Sequence, residues 1–223
     1  MAKSVLTSFQ KEILTAIVED SFFKKSFYFS GGTALSEFYL RHRFSEDLDF
    51  LTAKNISFEE IHKKLADKLK KLRIDSFEHR AEKGAKLFFL RRGKNEVVRV
   101  DFNYYPFKRL KKGKKFKGFE IDSLFDLAVN KIEAILTRPA ARDFVDLYFI
   151  LKEKKFAWPT LLSGLKKKFF WKIDPLYLAS RLIKIGGLHD YPKMIKKLSR
   201  KNLVAFFIKE AAKFNGEVIF GGG

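Results

Sequence analysis

Cysteine is absent from the 223 residues, which excludes a disulfide scaffold and a cysteine-ligated zinc site. No apolar run approaches the roughly 18 residues of a membrane span, because Lys or Arg cuts every one. No signal-type apolar core stands near the N-terminus, so the expected location is the cytoplasm, with no membrane contact. Internal repeats and low-complexity tracts are lacking as well. Acidic residues are outnumbered, 26 against 46 Lys plus Arg, for a net charge of +20. What is present in quantity is apolar: 46% of the chain, enough for a true core and too much for a disordered polycation. The excess charge is uneven, since residues 151–223 carry 16 basic and 5 acidic side chains. Such a field favours polyanions as company, nucleic acid or phosphorylated molecules among them, although a lysine-rich solvated surface would give the same numbers.

Periodicity predicts a mixed first half and a helical second half. Leu6, Phe9, Ile13 and Ile17 fall at helical spacing. Residues 26–30 read as a short aromatic strand ending at Gly31-Gly32, and Thr33 as the N-cap of a new helix. Residues 48–52 read as a second strand. Ser57 and Glu60 form a capping-box pattern ahead of Phe58, Ile61, Leu65, Leu69 and Leu72. Residues 74–79, 85–91 and 96–104 read as an antiparallel meander broken at Gly84 and Gly93. Strands are expected to stop at Tyr104. The lysine-rich stretch 107–118 reads as a solvated loop or hairpin tip, or as a phosphate-contacting arm. Helical patterns are expected over 124–136, 139–151, a basic segment around 166–171, 176–185 and 193–214, and the triglycine end as unordered. The division is placed as an α/β domain over 1–120 and a basic helical domain over 121–223.

The chemistry-bearing residues cluster around the first two strands. A Gly31-Gly32 turn opening a helix presents backbone N–H groups to an anion, with no Cβ in the way. On a strand, Asp47 and Asp49 share one face while Leu48 and Phe50 take the other. Paired carboxylates suit a hard divalent ion, and Mg²⁺ in particular is held by one or two carboxylates together with substrate phosphates. In Val98-Arg99-Val100-Asp101-Phe102 the apolar residues alternate inward, which puts Arg99 and Asp101 opposite them. A third carboxylate then converges if this strand lies beside the Asp47/Asp49 strand; a surface Asp101 paired to Arg99 is the ordinary alternative. On the helix from Leu124, Lys131 falls inside the apolar arc while Asp126, Asn130 and Glu133 fall outside it. Such a lysine must snorkel or point into a polar cleft. Arg142 and Asp146 are placed for an ordinary i, i+4 pair.

The string GGTALSEFYLRHRFSEDLDF, with RVDF and KIEAILTRPAARDFVDLYFI, resembles the AbiEii/AbiGii-type nucleotidyltransferase toxins, a branch of the DNA polymerase β-like nucleotidyltransferases. The likeness covers about residues 27–151. It implies a mixed α/β (α+β) sheet flanked by helices, followed by a helical C-terminal domain. It also implies an NTP substrate with Mg²⁺, two ions in the full mechanism. By the same likeness Gly31, Gly32, Thr33, Arg43 and Ser45 bind the nucleotide, Asp47 and Asp49 ligate metal, and Lys131 neutralises phosphate charge. Asp101 completes the metal site or takes a proton, and Asp143 is a further active-site carboxylate. The implied reaction transfers an NMP to an acceptor hydroxyl, with RNA (tRNA) as acceptor and a cognate antitoxin as partner. A small-molecule nucleotidyltransferase and a catalytically silent RNA-binding module are the competing readings. Lys166-Lys167-Lys168-Phe169-Phe170-Trp171 could bind phosphate and stack on bases, or be a core aromatic cluster beside solvated lysines.

Overall fold

The computed structural model describes residues 4–82 and 84–214 and divides into two compact units, Met1–Ser123 and Leu124–Gly223. The triglycine end lies outside the described residues. The fold class is the expected one, a mixed sheet flanked by helices followed by a helical unit.

In the first unit, helix α1 (Ser8–Val18) starts at a full capping box. Thr7 accepts from the Gln10 backbone, and the Gln10 side chain accepts from the Thr7 backbone. Its stripe of Phe9, Ile13, Leu14, Ile17 and Val18 is buried. A second short helix, α2 (Ser21–Ser26), is capped by Asp20, so β1 is confined to Tyr28–Ser30. Residues 21–25 carried no expected element, and the expected strand 26–30 gives up its first two residues. Helix α3 (Gly31–Leu35) begins three residues earlier than expected, with Ser30 rather than Thr33 as its N-cap, and continues as one π-helical turn over Ser36–Leu40.

The remaining strands are β2 (Asp47–Thr52), β3 (Ser76–Glu82), β4 (Ala85–Arg92) and β5 (Glu96–Tyr104), and α4 (Phe58–Leu69) lies between β2 and β3 in sequence. The sheet order is β1-β2-β5-β4-β3, with β2 and β5 parallel and the other pairs antiparallel. The meander therefore returns its last strand to the side of β2, which is the pairing that a third carboxylate requires. One face buries Leu48, Phe50, Phe88, Val98, Val100 and Phe102 against the stripes of α1 and α4. Phe50 and Phe102 stack at 5.2 Å. Each such ring contributes about 1.5–3 kcal/mol by burial, so the face carrying Asp47 and Asp49 is fixed as the other one.

The stretch after Tyr104 is packed rather than free. It forms a small hairpin, β6 (Lys115–Phe116) and β7 (Phe119–Glu120), the hairpin alternative rather than an open loop. Arg109 lies over Tyr28 at 4.7 Å, and Lys114 over Tyr39 at 4.7 Å. Gly113 sits where a Cβ would come 2.8 Å from the Asp122 carbonyl carbon.

The second unit comprises α5 (Leu124–Thr137), α6 (Ala141–Lys154), α7 (Trp158–Phe169), α8 (Pro175–Leu182) and α9 (Arg200–Ala212). Residues 193–199, expected to be helical, are irregular; α9 starts only at Arg200, where Ser199 supplies the cap. Asp126, placed on the outer face by periodicity, is fully buried and paired with Lys168, also fully buried, at 2.9 Å. Among the described residues no helix is long and apolar enough to cross a membrane.

Candidate active site

Sheet register assembles the first cluster. Ser30 of β1 stands opposite Asp49 of β2, and Asp49 opposite Asp101 of β5. Two carboxylates thus occupy neighbouring positions on adjacent strands, directly beside the turn where β1 gives way to α3. Gly31 has φ of 75°, in the left-handed region, and a Cβ there would lie 2.6 Å from Asp49 Cγ. A Cβ on Gly32 would collide with the Arg43 guanidinium and come 3.1 Å from Ser45 Oγ. The diglycine therefore does more than open a turn. Its missing side chains make room for Asp49 and Arg43, which brings carboxylate and guanidinium against the first turn of α3.

Further bonds hold this arrangement. Thr33 Oγ1 donates to the Asp47 carbonyl, and Ser36 Oγ donates to the Arg43 carbonyl. Arg43 is buried and donates through Nη1 to the Phe44 carbonyl at 2.9 Å. Gln10 Nε2 donates to the carbonyls of Ser45 and Glu46 at 2.8 and 3.0 Å, fixing the turn before β2 from α1. The Thr33 hydroxyl is thus engaged with the backbone of β2.

Arg99, named in the sequence as a pairing partner and not as a site residue, bridges two of the carboxylates. Its Nη2 is 2.6 Å from Asp47 Oδ2 and its Nε 3.1 Å from Asp101 Oδ1. Alternation placed Asp101 opposite the core face, and it is there, yet only 5% exposed. Burial pushes its carboxyl up to about 7, the negative charges of Asp49 and then Asp47 push the same way, and Arg99 opposes them.

The chemistry of this set fits a hard divalent cation. All donors are carboxylate oxygens, they share one face, and the buried member has its carboxyl raised by burial and by its acidic neighbours. Among the described residues no three acidic or histidine side chains lie close enough, as they stand, to coordinate one ion.

A second cluster is built within the helical unit. Lys131 is 9% exposed, and its Nζ lies 2.7 Å from Asp143 Oδ1 and 2.7 Å from Asp146 Oδ2. Lys131 neither snorkels nor stands alone: α6 supplies two carboxylates to one ammonium. Asp146 therefore faces α5, not the i, i+4 partner Arg142 that spacing suggested. Asp143 Oδ2 is buried without a hydrogen bond, a spare acceptor beside the lysine. Of the residues singled out from the sequence, Gly31, Gly32, Thr33, Arg43, Ser45, Asp47, Asp49 and Asp101 gather in the first unit, and Lys131 and Asp143 in the second. Arg99 and Asp146 are the additions. The charge alternation of RVDF and the i+3 spacing of Asp143 and Asp146 were the signals for them.

Comparison with known proteins supplies the setting for this geometry. Residues 12–211 match the family of AbiEii nucleotidyl transferase toxins of type IV toxin–antitoxin systems. An uncharacterised Aquifex aeolicus protein, aq_aa25, is 31% identical over 146 residues, which are 64% of this chain and 66% of that protein; the match thus spans just under two thirds of the relative's length. Among solved structures, a Helicobacter pylori protein provisionally called a nucleotidyltransferase superposes with a TM-score of 0.62 at 18% identity, covering 94% of this chain and 96% of the other. MenT4, a nucleotidyltransferase toxin of Mycobacterium tuberculosis, superposes with a TM-score of 0.58 at 15% identity, covering 92% and 80%. At these identities the structural likeness concerns the fold.

Proposed function

The chain belongs to the AbiEii nucleotidyltransferase toxin family, and from that premise we propose that it transfers a nucleoside monophosphate from an NTP to a hydroxyl of RNA, tRNA included, as the toxin of a toxin–antitoxin pair. The observation that carries the reading is the register row of Asp49 and Asp101 beside the Gly31-Gly32 turn.

In this reading the backbone of Gly31, Gly32 and Thr33, together with Arg43 and Ser45, receives the triphosphate. Backbone N–H groups at a helix start and a guanidinium are the donors that phosphate oxygens require. Asp47, Asp49 and Asp101 would hold Mg²⁺. The chemistry such an ion would supply there is Lewis acidity towards phosphate oxygens and neutralisation of charge on the leaving pyrophosphate. Asp101 either completes that metal site or, where it is left out of the coordination, accepts the acceptor hydroxyl's proton as the O–P bond forms and the bond to pyrophosphate breaks. Arg99 holds Asp47 and Asp101 in place from the sheet. Lys131, set between Asp143 and Asp146, serves the reaction as the phosphate-directed cation of the family pattern. Most of the barrier reduction is then positioning and charge neutralisation. A net charge of +20 favours a polyanionic acceptor over a small one.

The test is incubation with α-labelled NTPs, Mg²⁺, total RNA and, separately, a panel of small hydroxylated acceptors including aminoglycosides. Label that migrates with RNA supports the proposal. Label on a small acceptor alone replaces it with the small-molecule reading, and salt-sensitive RNA binding without transfer replaces it with a silent binding module.

A further inference from the structure

Helix α7 is stopped by Phe170, whose backbone is left-handed, with φ of 60°. Glycine or asparagine ordinarily takes that position, since neither suffers from the Cβ crowding there. Here a phenylalanine takes it and holds its ring 88% exposed, so the ring repays nothing in core burial. Trp171 follows, 38% exposed and leaning on the buried ring of Phe169 at 5.8 Å. The lysines nearby divide into two kinds. Lys168 is turned inward and neutralised by Asp126, while Lys166, Lys167 and Lys172 are exposed. The nearest acid in sequence, Asp174, is engaged as the cap of α8, accepting from the Tyr177 backbone at 2.8 Å.

We propose that Phe170 and Trp171, with Lys166, Lys167 and Lys172, form a stacking platform for single-stranded RNA, separate from the residues assigned to nucleotide transfer. Exposed rings beside cations are what a single strand requires: bases stack on the ring faces and phosphates meet the ammonium groups. A ring standing this clear of the surface presents open faces, which suits flat bases. An acidic protein would use the lysines and leave those faces idle. The inference takes only the acceptor class, RNA, from the proposed function.

The test needs neither NTP nor turnover. The chain has two tryptophans; Trp158 is 8% exposed and bonded to Glu210, so an added strand reaches Trp171. Titration of the full chain with a single-stranded oligouridylate of about twelve nucleotides, within the span that aromatic platforms cover, is expected to quench its fluorescence saturably, and less so as salt rises. Phe170→Gly is expected to weaken Kd about ten-fold while Tm stays equal or rises, because glycine accepts the left-handed backbone. Trp171→Phe is expected to abolish the quench. Absence of saturable quenching, an unchanged Kd in Phe170→Gly, or equal quenching and competition by polyglutamate would overturn the platform. Because only binding is read, such a failure leaves the transfer reading standing, and loss of the transfer reading leaves the platform standing.

Discussion

Asp49 occupies the space in which a side chain on Gly31 would sit, its Cγ 2.6 Å from where that Cβ would be. The glycine and the carboxylate are therefore one unit of structure. Gly31→Ala is expected to destabilise twice over, through a left-handed backbone worth roughly 1–2 kcal/mol and through the collision, and to displace the carboxylate. Adding Asp49→Ala removes the collision, so the double variant should regain part of the lost stability while transfer stays absent. Thermal unfolding of the four-member cycle checks this, and strictly additive losses would contradict it.

Asp101 predicts a pH dependence of stability without divalent ion. Its folded value of about 7 lies above the ordinary 3.8, so folding favours the protonated form. That contribution is fully present below about pH 4 and is lost as pH rises through 7, by on the order of 4 kcal/mol at most. Chemical denaturation in chelator from pH 4 to 8 should show the decline, and Asp101→Asn should flatten it. An equal slope in that variant would assign it elsewhere.

Arg99 predicts how the carboxylates respond to metal. Replacing it with Met takes a cation from Asp47 and Asp101 and leaves Asp49 beside them. The variant should melt lower than wild type in chelator and gain more in Tm from added Mg²⁺. An unchanged Tm on Mg²⁺ addition in both proteins would argue against a divalent site here.

Lys131 is structural as well as chemical. Removing it leaves Asp143 and Asp146 buried without their shared ammonium, and Lys131→Ala is expected to cost about 3–5 kcal/mol. Lys131→Met with Asp143→Asn and Asp146→Asn should recover much of the stability and none of the turnover. Recovery of both would leave the lysine a structural role alone.

Much of the sheet was legible in the chain because alternation is a local signal. Val98, Val100 and Phe102 alternate with Arg99 and Asp101, Leu48 and Phe50 with Asp47 and Asp49, and burial follows that period. The parallel pairing of β2 with β5 could be posed but not read, since it depends on the meander returning across the sheet. Polar residues that find distant partners were illegible for the same reason. Asp126 looks solvent-facing until Lys168, 42 residues on, is brought to it. The helix at Ser21–Ser26 was hidden because aromatic residues suit a strand equally well, and only Asp20 accepting from Phe22 and Phe23 decides the matter. In Phe169-Phe170-Trp171 the sequence offers three alike rings. The helix end separates them, sending Phe169 inward and leaving Phe170 and Trp171 outside.

The role proposed for Asp49 in transfer is probed by Asp49→Asn. Asparagine keeps the shape that fits against Gly31 and removes a negative charge from beside Asp101. With Mg²⁺ present, kcat/KM for transfer of labelled NMP is expected to fall by about 10³ or more while Tm is unchanged or higher. Transfer at the wild-type rate by the folded variant would contradict it.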